Sequence, residues 1–201
     1  QAAVATTIGG DVAQGGVGQV VAFSEVCGDV DQIGVGNVVG FSEVHGDTEQ
    51  IGAGNAVVGS TLHGRLDQYG AGNAAAFSTF KGPVKQVGGA NAAAFNTYEG
   101  YNKQVGGLNA AAFNTYEKDA NQVGFGNAAL GNKVKGKLKQ TGIVNAGAIN
   151  EAGEIERKGL VNAGVADKTT GKIKNSGVLN LGVGNDGSKV DSNGVAIELF
   201  S

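Results

Sequence analysis

The chain has no tryptophan, no methionine, one proline and one cysteine in 201 residues. A single cysteine cannot close an internal disulfide, so no cross-linked framework holds this fold together. No apolar run approaches the roughly 20 residues that a membrane-spanning helix requires. The net charge of −3 lacks the basic excess of a nucleic-acid binder. Glycine is abundant instead, at 37 residues, but without the Gly-X-Y triplet of collagen. A hydrophobic content of 41% argues against general disorder. The charges are unevenly spread: residues 1–79 hold eight acidic residues and one basic, residues 80–201 ten acidic and fourteen basic. Scattered solvated positions explain this, or an acidic front end that attracts the basic rear of a neighbouring molecule.

What is present is a repeat. Gln-x-Gly-x-x-Asn recurs with its Gln at Gln14, Gln32, Gln50, Gln68, Gln86, Gln104, Gln122 and Gln140, each 18 residues after the last. Three degenerate copies follow, anchored at Arg157, Asn175 and Ser192. The Gly two places on occurs in all eleven copies, and the Asn at the fifth place in nine, failing at Gln19 and Ile197. Residues 1–11 precede the first copy and read as a leader or cap. Residues 12–201 read as one repeat domain without a linker, degenerate from 151 onward. The last copy stays strand-like from Val195 to Phe200.

A helix does not fit, because each interior Gly costs about 1 kcal/mol there. The reading is all-β: a β-solenoid of about eleven 18-residue strand–arc–strand coils. Number each copy from its Gln as position 0. Position −2 is mostly apolar (Val12, Val30, Leu66, Val84), and alternation puts it on the same face as the Gln. Glycines at positions 2–4 supply one arc and the Gly at position 14 the other. Coils about 4.8 Å apart give a rod roughly 50 Å long. Alternation from position 5 then predicts an interior of positions 5, 7 and 9, with a buried aromatic column of Phe23, Phe41, Phe77, Phe95 and Phe113.

A buried amide without a partner costs several kcal/mol. Stacked coils remove that cost, because each amide meets its copy one coil away and the resulting ladder fixes register. The predicted ladders are Gln32, Gln50, Gln68, Gln86, Gln104, Gln122 and Gln140, and Asn37, Asn55, Asn73, Asn91, Asn109, Asn127 and Asn145. Positions 6 and 8 then face outward as an uncharged strip that includes Ala74, Ala76, Ala92, Ala94, Ala110 and Ala112, a candidate lateral interface, or core if the parity is reversed.

Gln68-Tyr-Gly70-Ala-Gly-Asn73-Ala-Ala75 and Gln122-Val-Gly124-Phe-Gly-Asn127-Ala-Ala129 resemble the curlin repeat of bacterial curli fibres, and the likeness runs over residues 12–197. The resemblance implies a secreted chain whose leader peptide has been removed. It implies a structural subunit of an extracellular, functional-amyloid-like fibre, contributing to biofilm matrix or cell adhesion. The implied partners are other copies of the chain and a nucleator or secretion partner, with no nucleic acid and no membrane span. The alternative is a monomeric solenoid adhesin or a surface- or ice-binding module, for which Thr61, Thr79, Thr97 and Thr115 form a short column.

Chemistry has few candidates. Cys27, His45 and His63 share position 13 on consecutive coils, with Glu25 and Glu43 two residues before Cys27 and His45, and these are metal-ligand types. The other reading is a solvated arc position that continues as Lys81 and Glu99. No paired-carboxylate motif or phosphate loop stands clear of the repeat, so the chain reads as a non-enzyme without a cofactor.

Overall fold

The computed structural model describes residues 1–187 and 189–199. It is a β-solenoid: strands pair in parallel with the strand one coil away, in register through the strict copies. Gln86 sits between Gln68 and Gln104, and Asn91 between Asn73 and Asn109. Each of these coils contributes one strand of 11 residues, such as Val84–Ala94, and one of 2 residues, such as Thr97–Tyr98.

Three corners divide the coil. Positions −2 and 0 are buried, then 5 and 7, then 10 and 12, as at Val84 and Gln86, Asn91 and Ala93, Asn96 and Tyr98. Simple alternation cannot connect an even inward set to an odd one, so the chain must change phase twice. The first change is the Gly corner at positions 2–4. A Cβ on Gly88 would lie 2.0 Å from the Gly70 carbonyl oxygen and 2.7 Å from Asn73 Nδ2, so no side chain fits between successive coils there.

The second phase change is at position 9, and it corrects the predicted interior. Phe23, Phe41, Phe77, Phe95 and Phe113 have φ between 50° and 56°. Gly59, Gly131, Ile149 and Ala166 occupy the same left-handed corner. A left-handed residue breaks the strand alternation. The five rings therefore stand outside the rod, 51–65% exposed, and not in its core. They do stack: Phe77 on Phe95 at 5.2 Å and Phe95 on Phe113 at 5.3 Å. The aromatic core is instead at position 12, where Phe80, Tyr98 and Tyr116 stack while fully buried.

Both ends of the described chain carry strands, the last copy as expected. Ala2–Val4 pairs with Val20–Ala22, Thr7 with Glu25 and Ile8 with Val26, and Ala5 takes the left-handed corner. These residues therefore continue the repeat. Lys189–Leu199 pairs along Lys172–Val183, 17 residues on as far as Ser176 and 16 residues on from Leu179, so the Gly corner of the last copy is one residue shorter. Phe200 lies outside the described residues. Among the described residues no helix is long and apolar enough to cross a membrane.

Candidate functional site

The parts that recur are hydrogen-bonded columns along the rod axis. In the first, each Gln donates from Nε2 to the Oε1 of the Gln one coil nearer the N-terminus. Seven such links, 2.7–3.0 Å long, join Gln14 to Gln140 through Gln32, Gln50, Gln68, Gln86, Gln104 and Gln122. In the second, each Asn donates from Nδ2 to the Oδ1 of the Asn one coil nearer the C-terminus, at 2.8 Å throughout. This column runs from Asn37 through Asn55, Asn73, Asn91, Asn109, Asn127 and Asn145 to Asn162 and Asn180. The two columns point in opposite directions. At the start of the Asn column Gln19 donates to Gly16 and Ile33 carbonyls instead, leaving Asn37 Oδ1 without a partner.

A third column was missed by the reading above. Position 10 holds Ser24, Ser42, Ser60 and Ser78, then Asn96, Asn114, Asn132 and Asn150, all buried. Each accepts on its side-chain oxygen the backbone N–H of the residue one coil earlier, as from Ser78 to Asn96 at 2.8 Å and from Asn96 to Asn114 at 2.9 Å. The signal was in the sequence: a small polar residue at a fixed place directly after the Phe column.

The Gln and position-10 columns change character together at the Arg157 coil, while the Asn column passes through it unchanged. Arg157 takes the Gln position fully buried, and its Nε donates to Gln140 Oε1 at 3.0 Å. Its Nη2 pairs with Asp167, which occupies position 10 and is also fully buried. Room for the guanidinium comes from position 7, which is Gly on both sides. A Cβ on Gly147 would fall 1.9 Å from Nη2, and one on Gly164 would fall 2.8 Å from Nη1. Three departures from the repeat therefore form one unit, in which Nε and Nη2 of Arg157 are paired and Nη1 is buried without a hydrogen bond among the described residues.

The outward strip holds Ala74, Ala92 and Ala110 exposed and Ala76, Ala94 and Ala112 half-buried. All but Ala76 floor two adjoining apolar troughs. One is edged by Leu108 and Val144, the other by Leu130 and Val165. Thr61, Thr79, Thr97 and Thr115 align across neighbouring strands, between Glu43 on one side and Lys133 on the other.

The position-13 residues form a different cluster from the one expected. The rings of His45 and His63 stack at 4.6 Å. Glu43 Oε1 lies 2.8 Å from His63 Nε2 and 3.9 Å from His45 Nε2, and Glu25 Oε1 lies 3.7 Å from His45 Nε2. The group whose ligand atoms all fall within 4.8 Å is Glu43, His45 and His63. Cys27 is exposed and outside it. Two imidazoles and a carboxylate are donor types that suit zinc. Lys81 Nζ, 3.4 Å from His63 Nδ1, adds an opposing positive charge. Compared with protein-family models, curated proteins and solved structures, the chain matches none.

Proposed function

We propose that the chain is a non-enzymatic structural subunit of an extracellular fibre that grows by stacking coil on coil. The observation that carries this reading is the sameness of the contact between successive coils. Through the strict copies, one coil meets the next with the same strand register and the same Gln, Asn and position-10 links. At the terminal coils the backbone part of that contact is kept, since Ala2–Val4 and Lys189–Leu199 pair in parallel with their one neighbour among the described residues, so a second copy is met by the same strand edge, while the Gln column has ended at Gln140 and the Asn column at Asn180. In-register ladders of this kind are the basis of cross-β stability. Export, a role in biofilm matrix or adhesion, and dependence on a nucleator or secretion partner rest on the curlin resemblance. The Ala-floored troughs suit lateral packing of such rods.

Electron microscopy of the purified chain after incubation tests this. The expected result is long unbranched fibres of constant width, with a meridional spacing near 4.8 Å in fibre diffraction. Isolated particles roughly 50 Å long, unchanged over days and over a wide concentration range, would favour a monomeric adhesin instead.

A further inference from the structure

Position −1 forms a column with a sharp change of sign on the first side of the coil, exposed at Asp31, Glu49 and Lys103, half-buried at Lys85 and buried beside Arg65 at Asp67. Asp31, Glu49 and Asp67 lie next to one another on adjacent strands, and Lys85 and Lys103 follow directly. Like charges directly opposite on paired strands destabilise a sheet, and alternating signs would have removed the repulsion. The blocks therefore carry a cost that contacts within the rod relieve only at their junction. Asp67 is bridged to Arg65 at 3.4 Å, and Lys85 Nζ donates to the Tyr69 hydroxyl at 3.1 Å. Among the described residues, Asp31, Glu49 and Lys103 have no ion pair.

Beside this column, position 1 forms an apolar ridge: Ile33, Ile51, Tyr69, Val87, Val105 and Val123. Ile33 is 58% exposed and Ile51 38%. At the point where the sign changes, Tyr69, Lys85, Tyr101 and Lys103 line a groove.

We propose that this face pairs with the same face of a second copy, the two rods running antiparallel. A two-fold axis along the strand direction, between the Gln68 and Gln86 coils, superposes each column on itself and inverts the coil order. Asp67 then meets Lys85, and Glu49 meets Lys103. The apolar ridge meets itself, with Tyr69 on Val87, Ile51 on Val105 and Ile33 on Val123. Such an isologous contact closes as a dimer. Six coils by five strand residues bury about 500 Å² per copy, or about 1,000 Å² in total, at the lower edge of specific association. The expected dimer is accordingly weak and sensitive to salt. The pairing stands apart from coil-on-coil growth, since it uses the side of the rod.

Charge reversal at Glu49 and Lys103 tests it by sedimentation velocity on freshly purified chain, before fibre growth. Glu49→Lys and Lys103→Glu each create alternating signs within the rod, so each single variant should melt at or above the wild-type temperature. Each should nonetheless self-associate at least tenfold more weakly than wild type. Mixing the two singles in equal amounts restores both cross-pairs, as does the double variant, and each should recover wild-type association. Single variants that dimerise like wild type, or a mixture that fails to recover, would overturn the proposal. Fibres in the microscope without a salt-sensitive dimer would refute this pairing and leave axial growth standing. A dimer without fibres would do the reverse.

Discussion

A phenylalanine in the left-handed region carries about 1–2 kcal/mol of backbone strain that glycine does not. Five coils accept that strain at position 9, and the return is the ring stack outside the rod. Aromatic pairs of this kind contribute about 0.5–1.5 kcal/mol each beyond their buried area. The two terms nearly cancel, so this column is a surface feature more than a source of stability. We expect Phe95→Ala to cost roughly 1–2 kcal/mol in urea unfolding, as two stacking contacts go and the strain stays. Phe95→Gly should be no worse than Phe95→Ala, the opposite of the usual order within strands. Tyr98→Ala, in the buried stack, should cost about 3–5 kcal/mol. Equal losses at Phe95 and Tyr98 would put the Phe column back in the core. The misplacement has a local cause. Residue type does not announce a left-handed corner unless it is Gly, and Gly59, Gly131 and Gly184 were the hints in a column otherwise filled by Phe, Ile and Ala.

The columns behave as elements in their own right. The Gln and Asn ladders were legible because a buried amide at constant spacing has one economical partner, its own copy. The Arg157 unit was not, because each of its members looked like decay of the repeat when read alone. Its energetics separate the two views. Arg157→Gln leaves Asp167 buried without its cation and should cost about 3–5 kcal/mol in equilibrium unfolding. Adding Asp167→Asn rebuilds an amide column and should recover most of that loss. If the double variant is no better than the single, Asp167 is not the partner that matters. A pH effect belongs to the residue before Arg157 on the same strand. Hydrogen bonds from Lys137 first, and then Lys158, lower the Glu156 carboxyl to about 2. A lowered acid stabilises the fold fully above its ordinary value of 4.5, and the contribution disappears as pH falls towards about 2. The stability gap between wild type and Glu156→Gln should therefore be constant from pH 7 to about 5 and close between 4.5 and 2. A gap that persists at the acid end would assign it to packing.

At the scale of the whole rod, every coil contacts only its neighbours, so stability should fall off toward coils covered on one side. Amide exchange should be slowest through Val84–Ala94 and Asn102–Ala112, and fastest in Ala2–Val4 and Lys189–Leu199. Uniform protection along the chain would indicate that the ends are covered in solution. The architecture was readable at this scale because a strict 18-residue period, Gly corners and buried amides admit few packings. What periodicity left open was the phase of each side. Ser24 and Asn96, at the place after the corner, settle it only once their backbone partners are seen.

The opposed sense of the two amide columns has a consequence for direction. Cut the stack between the Gln86 and Gln104 coils. The surface facing the C-terminus offers an acceptor from Gln86 and a donor from Asn91, and the opposite surface offers a donor from Gln104 and an acceptor from Asn109. Those surfaces fit each other, but neither fits itself: face to face, acceptor would meet acceptor and donor would meet donor. The side chains thus write an arrow along the rod. Their amide dipoles, one column up and one column down, largely cancel, so the arrow carries orientation without an accumulating field.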